Sequence, residues 1–449
     1  MDARSLLRAA RERGIKGASD SARMPAPRNL RPKATLVVRN GVLATCDRGS
    51  ADAGLLPGGA VAIDDLRTVW VGRDRDLEAA VDVSEARVLD ARGGLVTPGL
   101  VDSHTHLVFA GERAGEFALR CAGKSYLDTA LSGGGIGVTT RATQAASDAA
   151  LLEAAAARAR RLLAQGVTTI EVKSGYGLTP AIELRLLRVI HALAHALWRE
   201  VTIVPTFLAH AVPPERQDDR AGFVRELCAE LLPAVAKEKL AASCDVFLEE
   251  GAYTAEEARR ILEAAERRGL VPRVHADHLT AGRGAQLAAA TGCASADHLE
   301  HVDDAGIEAL ARGRVVAGLL PLSTLFLGSE RYAPARRLLA AGVPLALASN
   351  LNPGSAMSEN VALVLSIACV KLGLSPAEAL VAFTAGGARS LRRSDLGRLA
   401  PGCEADLVIW GCASVEHLAW HMAVNHALAV VKRGRVVHEA LPGAAVDCR

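Results

Sequence analysis

Two histidines two residues apart close an apolar run that ends in Asp102-Ser-His104-Thr-His106. Side chains alternate faces along a strand with a period of two, so these imidazoles point the same way and can grip one metal ion together. His210, His275 and His298 also stand at the ends of short apolar runs, so five of the chain's 13 histidines occupy predicted strand ends. A single histidine there is commonly a structural residue, whereas five point to a metal-dependent site. Imidazole suits zinc, iron, copper and nickel, and a mostly imidazole site with an open position for water is the layout of a hydrolytic metal. Such an ion lowers the pKa of bound water towards ~7 and polarises a carbonyl.

The elements that must position these histidines form an alternating pattern. Eight apolar runs read as strands: Leu95–Asp102, Thr168–Val172, Thr202–Phe207, Cys244–Leu248, Pro272–His275, Ser295–His298, Val315–Leu320 and Pro344–Ala348. Helical stretches with Ala, Glu, Arg and Leu at the right period follow most of them, as at Leu151–Leu163, Glu256–Arg267 and Pro376–Ala382. Strands alternating with amphipathic helices predict an α/β chain with a parallel sheet, and eight such units predict a (β/α)8 TIM-like barrel, whose chemistry sits at the C-terminal strand ends. Short β-rich segments from Thr35 to Gly72 are matched at the far end by Ala405–Trp410 and Ala429–Val437. They predict a small β-sandwich domain built from both chain ends, residues 34–94 plus 396–449, with the barrel at 95–395 inserted in it.

With 449 residues, 50% of them hydrophobic and 23% charged, the chain can bury a sizeable core. Its formal net charge of +2 gives no argument for a nucleic acid or other polyanion partner. That figure is a cancellation: residues 1–33 hold nine Lys or Arg against three acids, a local +6, which leaves −4 for the other 416. The basic segment is expected to be a solvated, poorly ordered extension, with Met24 as a candidate later start. No charge-free apolar run of ~18 residues suggests a membrane span. Nine cysteines without any Cys-x-x-Cys pair read as reduced thiols of a cytoplasmic protein. No nucleophilic Ser or Cys motif competes with the histidines, and Gly133-Gly-Gly lacks the following Lys-Ser/Thr of a phosphate loop.

A barrel inserted in a sheet shared by both termini, Pro98-Gly-Leu-Val-Asp-Ser-His-Thr-His and the later His275 resemble the amidohydrolase superfamily. Within it the chain is most similar to the imidazolonepropionase family of histidine degradation. The motifs are His106-Leu-Val-Phe-Ala-Gly-Glu-Arg113, Lys124-Ser-Tyr126, Glu171-Val-Lys-Ser-Gly-Tyr176-Gly, His210-Ala-Val-Pro-Pro-Glu, His275-Ala-Asp, Ser295-Ala-Asp-His298 and Asn352-Pro-Gly-Ser355. The resemblance spans about residues 35–440. It implies hydrolysis of the ring amide of 4-imidazolone-5-propanoate to N-formimidoyl-L-glutamate, using one divalent or trivalent ion, zinc or iron. The implied metal ligands are His104, His106 and His275, with a fourth at position 350. The implied substrate contacts are Arg113, Tyr126, Tyr176, His210, Asn352, Gly354 and Ser355, with His298 beside the metal. The resemblance also implies a homodimer. In this family Lys173 belongs to a mononuclear site, although other amidohydrolases hold two metals around a carbamylated lysine.

Arg113 offers a planar fork for the propionate, but a salt bridge to Glu112 or Glu116 would also explain it. Tyr176 could be loop packing, and Asn352-Pro-Gly-Ser355 an ordinary turn. Asp245 and the pair Glu249-Glu250 are expected to structure the barrel mouth. Three positions depart from the family pattern. Asn350 stands where an aspartate should both ligate the metal and accept a proton, and an amide cannot be a general base at neutral pH. His278 replaces Glu or Gln three residues after His275, as a further ligand, as a substitute base, or as a residue that faces solvent or a helix start. The glycine expected before Ala209-His210 is missing. Two other readings therefore stand beside the implied one: a non-catalytic relative that binds metal or an imidazole acid, and a hydrolase of another cyclic amide or amidine that uses His278 as base.

Overall fold

The computed structural model describes residues 31–47, 53–123 and 134–440. Tyr126, Lys124, Gly133 and nearly all of the basic segment 1–33 lie outside the described residues. Sixteen described strands form two sheets of eight. β1 (Leu36–Ala44), β2 (Leu55–Asp64), β3 (Arg67–Arg73), β4 (Arg87–Asp90) and β5 (Leu95–Pro98) from the first part join β14 (Leu407–Trp410), β15 (Ala427–Lys432) and β16 (Arg435–Glu439) from the last. This smaller sheet branches at β1, whose first half pairs with β4 and whose second half pairs with β5. Its arms share one buried cluster that includes Val38, Val61, Val96, Leu407 and Val431. The two layers expected of a sandwich are thus one continuous hydrogen-bonded sheet.

The second sheet runs in chain order, every strand parallel to the next: β6 (Leu100–Asp102), β7 (Val167–Lys173), β8 (Thr202–Ala209), β9 (Ser243–Phe247), β10 (Val271–Ala276), β11 (Ser295–His298), β12 (Val316–Leu319) and β13 (Leu345–Leu347). The expected α/β barrel is therefore present. The first predicted strand, Leu95–Asp102, divides in two: Leu95–Pro98 pairs with β1 and β14 of the smaller sheet, and Leu100–Asp102 begins the barrel. Gly99 sits at the switch, where an added Cβ would meet Thr168 Oγ1 at 2.1 Å. Local strand propensity cannot register such a change of partner, because both halves are equally apolar.

β6 and β13 carry no ladder pairing with each other among the described residues. The helical segment Ala382–Ser390 fills that seam. A Cβ on Gly386 would lie 2.1 Å from the Leu345 carbonyl oxygen of β13, and one on Gly387 would lie 2.4 Å from the Val101 carbonyl oxygen of β6. The glycine pair is what lets this backbone approach both edge strands. At the mouth, the loops after the two strands hydrogen bond directly: Asn350 N–H donates to the His104 carbonyl (3.1 Å) and His106 N–H to the Leu351 carbonyl (2.9 Å). Closure of the barrel thereby fixes the backbone on both sides of the histidine pair.

Helices pack outside the strands, as their sequence signals require. Asp148–Leu163 starts at the N-cap Ser147, and Ala255–Glu266 starts with a full capping box between Thr254 and Glu257. The predicted helix at Pro376–Ala382 ends at Val381 and runs into the seam segment.

Candidate active site

His104 and His106 follow β6, His275 lies near the end of β10, and all three are buried. One ligand nitrogen from each lies within 4.8 Å of the other two. Strand alternation brought the first pair together, and the barrel brought in the third across 169 or more residues of chain. Burial, reinforced by neighbouring cations, pushes the His104 and His106 imidazoles well below their usual pKa and keeps them neutral, which is the form that ligates metal.

Two of the three ligands are aimed by a carboxylate behind them. His104 Nδ1 is 2.8 Å from Asp297 Oδ2, and His275 Nδ1 is 3.0 Å from Asp245 Oδ1. A proton on Nδ1 shared with a carboxylate leaves Nε2 as the lone pair, and the carboxylate raises its basicity. The carboxylates are themselves paired with cations: Asp297 with the fully buried Arg273 at 3.0 Å, and Asp245 with Lys173 at 2.7 Å. Lys173 Nζ also donates to Glu171 at 2.8 Å, and Glu171 Oε2 accepts from the Thr105 N–H between the two histidines at 3.2 Å. Asp245 is thus not a mouth residue, as expected from sequence, but part of the buried support of His275. Glu249 does order the mouth, accepting from the Leu279 and Thr280 N–H groups. The signal in sequence for Asp245, Arg273 and Asp297 was a charge inside a run read as a buried strand, since a buried charge requires a partner.

Asn350 follows β13 in a left-handed backbone conformation (φ 55°), which asparagine and aspartate tolerate better than most residues. Its Nδ2 is 3.5 Å from Ser355 Oγ. Asn350 Oδ1, His104 Nε2 and His106 Nδ1 are buried without a hydrogen-bond partner among the described residues. Unpartnered lone pairs on residues beside one another fit a bound cation, because burying them unpaired is costly. Neutral imidazoles with one amide oxygen are a donor set that suits zinc or iron.

The remaining candidates surround this cluster unevenly. The His298 ring lies 5.4 Å from His275 and stacks at 3.6 Å on the half-buried His278, which brings His278 beside the cluster. His298 Nδ1 is 3.7 Å from Glu300 Oε1, and its backbone is also left-handed (φ 86°). His210 lies 6.0 Å from the His106 ring even without the expected glycine, and its Nδ1 is 3.2 Å from the Gly175 carbonyl. Burial lowers its pKa to about 3. Tyr176 is buried between His106 and His210, with centroids 6.0 and 5.7 Å away, and also packs on Phe109.

Arg113 makes the salt bridge that one of its two readings expected, to Glu116. Its Nε and Nη2 donate to Glu116 Oε2 at 2.9 and 2.6 Å, and a Cβ on Gly354 would meet its Nη1 at 2.3 Å. Only glycine lets the guanidinium lie against the Asn352–Ser355 turn. That turn is held by Asn352 Oδ1, which accepts from the Gly354 and Ser355 N–H groups at 2.8 Å each, while Asn352 Nδ2 donates to the Asn350 carbonyl at 2.7 Å. A second guanidinium that sequence reading missed, Arg120, stands 3.4 Å from the Gly354 carbonyl and stacks over Phe326.

A parallel barrel with buried histidines and carboxylate-supported ligands at its C-terminal mouth defines a metal-dependent hydrolase. The amidohydrolase family model matches residues 95–439, and the chain belongs to that family. Atrazine chlorohydrolase from Arthrobacter aurescens, solved with zinc, superposes with a TM-score of 0.65 at 19% identity over 90% of this chain and 95% of that one. A 5-methylcytosine deaminase from Klebsiella pneumoniae superposes with a TM-score of 0.69 at 16% identity over 90% and 98%. Imidazolonepropionase from Anaeromyxobacter sp. strain K is 74% identical over 419 residues, 93% of this chain and all of that protein. The chain is a member of the imidazolonepropionase branch of the amidohydrolases.

Proposed function

We propose that the chain hydrolyses the ring amide of 4-imidazolone-5-propanoate. Water adds to the ring carbonyl carbon, the adjacent C–N bond breaks, and N-formimidoyl-L-glutamate leaves. The observation that carries this reading is the convergence of His104, His106 and His275 at the barrel mouth, in a chain 74% identical to an imidazolonepropionase.

His104, His106 and His275 would hold one divalent or trivalent ion, zinc or iron, with Asn350 Oδ1 as a neutral fourth donor. When bound, the ion supplies Lewis acidity and a lowered water pKa. A single ion is supported by Lys173, whose Nζ is engaged by two carboxylates and does not serve as a bridging carbamate. Arg113 anchors the propionate carboxylate beside the Asn352–Ser355 turn, and Arg120 adds a second positive charge on that side. Tyr176 and His210 form the wall against the flat ring, with Tyr126 as the further contact. Asn350 cannot accept the proton of the attacking water. That role falls to the stacked pair: His298 faces the oxyanion that develops on the carbonyl, and His278 takes up the proton of the attacking water and passes it to the ring nitrogen as the C–N bond breaks. The substrate is a small molecule, no nucleic acid enters the reading, and no described helix is long and apolar enough to cross a membrane. The cytoplasm is the compartment we assign, supported by eight described cysteines that are all free thiols, and a homodimer is the expected assembly.

The test compares metal content and turnover of the purified chain with those of Asn350→Asp. The left-handed backbone accepts either residue, so folding is not at issue. We expect the wild type to carry metal and to turn over within about tenfold of the variant, since a positioned base elsewhere already supplies its ~10²–10⁴. A metal-free, inert wild type rescued by the variant would identify a non-catalytic relative. Both proteins inert on this substrate, with the wild type opening a different ring, would reassign the substrate.

A further inference from the structure

Far from the barrel mouth, a second group of histidines converges. His417 lies in the short helix Val415–Trp420, His421 caps it, and His426 stands just before β15. One ring nitrogen from each lies within 4.8 Å of the other two. The ring centroids are 5.6 Å apart for His417 and His421, 5.0 Å for His417 and His426, and 4.9 Å for His421 and His426. No carboxylate belongs to this group. His417 Nε2 and His421 Nδ1 are buried atoms with no hydrogen-bond partner among the described residues. His426 is buried, while His417 and His421 are half-buried.

From this geometry we propose that His417, His421 and His426 form a second metal site, taking a divalent transition ion of zinc type. Three imidazoles without an acid repel one another when protonated, whereas as neutral lone-pair donors they share one cation favourably. Zinc holds imidazole nitrogens at ~2.0–2.1 Å, so the half-buried His417 and His421 side chains at the helix end would rotate to close on the ion. Water completes the coordination from the solvent side.

The surroundings give the site its role. The segment that carries it leaves the smaller sheet at β14 and returns at β15, and between them it is tied to the barrel's outer helices. Ser366 Oγ donates to the Ala419 carbonyl at 2.7 Å, Asn360 Nδ2 to the Ala423 carbonyl at 2.9 Å, and Asn425 Nδ2 to the Ala164 carbonyl at 2.9 Å. A zinc ion across His417, His421 and His426 closes this loop of the smaller sheet where it packs on the barrel's outer helices. It acts as a structural clasp, and substrate does not touch it.

Zinc content and thermal stability of the purified full-length chain test this. Wild type, His417→Ala, His421→Gln and the double variant His104→Ala/His106→Ala are loaded with zinc, desalted and measured by elemental analysis. The wild type is expected to hold two equivalents, and His417→Ala and His421→Gln one each, with ring-opening activity unchanged. The barrel variant is expected to keep one equivalent, which separates this site from the catalytic one. Added zinc raises the melting temperature of the barrel variant, and combining it with His421→Gln removes that rise. Equal zinc content in the wild type and the two clasp variants, or a barrel variant that binds no zinc, overturns the proposal.

Discussion

Lys173→Met tests the buried support of the site directly. Lys173 Nζ lies 2.8 Å from Glu171 and 2.7 Å from Asp245, and none of the three side chains is exposed. Methionine nearly matches the lysine stem in volume but removes the charge, leaving two carboxylates facing each other in the core. Breaking a buried pair by removing one partner costs about 3–5 kcal/mol. At about 2.1 cal/mol/K per residue, 449 residues have an unfolding entropy of about 0.9 kcal/mol/K, so the melting temperature should fall by about 3–5 °C. The loss also reaches the ligands, because Asp245 aims His275 and Glu171 holds Thr105 between His104 and His106. Loss of such support typically weakens metal affinity ~10–100-fold. Calorimetry and a chelator competition on the purified variant measure both, in a His421→Gln background so that only barrel metal is counted. A melting temperature unchanged within about 1 °C would refute the ion triad as a structural support. Loss of an entire second barrel equivalent would instead show that Lys173 bridges two ions.

Two further outcomes follow from individual residues. Arg113→Ala should raise KM by ~10–100-fold while kcat changes far less, because charge-assisted hydrogen bonds contribute about 1.5–3 kcal/mol to binding. Glu116→Gln serves as its control, and equal effects from both would mean that Arg113 matters only through its ion pair. Asp395, held by Arg393 at 2.7 Å and by Arg67, has its pKa lowered from 3.8 to about 2, chiefly by the Arg393 hydrogen bond. A lowered folded-state pKa gives stability that is present above the unfolded value and lost as pH falls through the folded one. Asp395→Asn should therefore melt below the wild type at about pH 6, with the gap closing from about pH 4 downwards, and a pH-independent gap would contradict the assignment.

Much of the fold and part of the site were legible in the chain. Seven of the eight predicted barrel strands match observed ones to within a few residues, because apolar β-branched runs such as Val167–Lys173 are buried on both faces in a parallel barrel. The eighth, Leu95–Asp102, was misread as one element, since its two halves differ only in which sheet they join. The surroundings of Arg113 were half legible: its sequence neighbours offered Glu112 or Glu116 as a salt-bridge partner, while the choice of Glu116 and the seat on Gly354 depended on where the loop folded.

By itself the sequence determined which residues could do chemistry: imidazoles at strand ends, and the period-two spacing that sends His104 and His106 to one side. These are local properties, set by residue type and by alternation along a strand. Tertiary structure alone decided how they are supported. His104 meets Asp297 across 193 positions, Lys173 meets Asp245 across 72, and Ser349 N–H reaches Asp102 across 247. No local preference encodes such pairs. They form because barrel closure places the strand ends side by side, and a charge sealed in that interior must find a partner there.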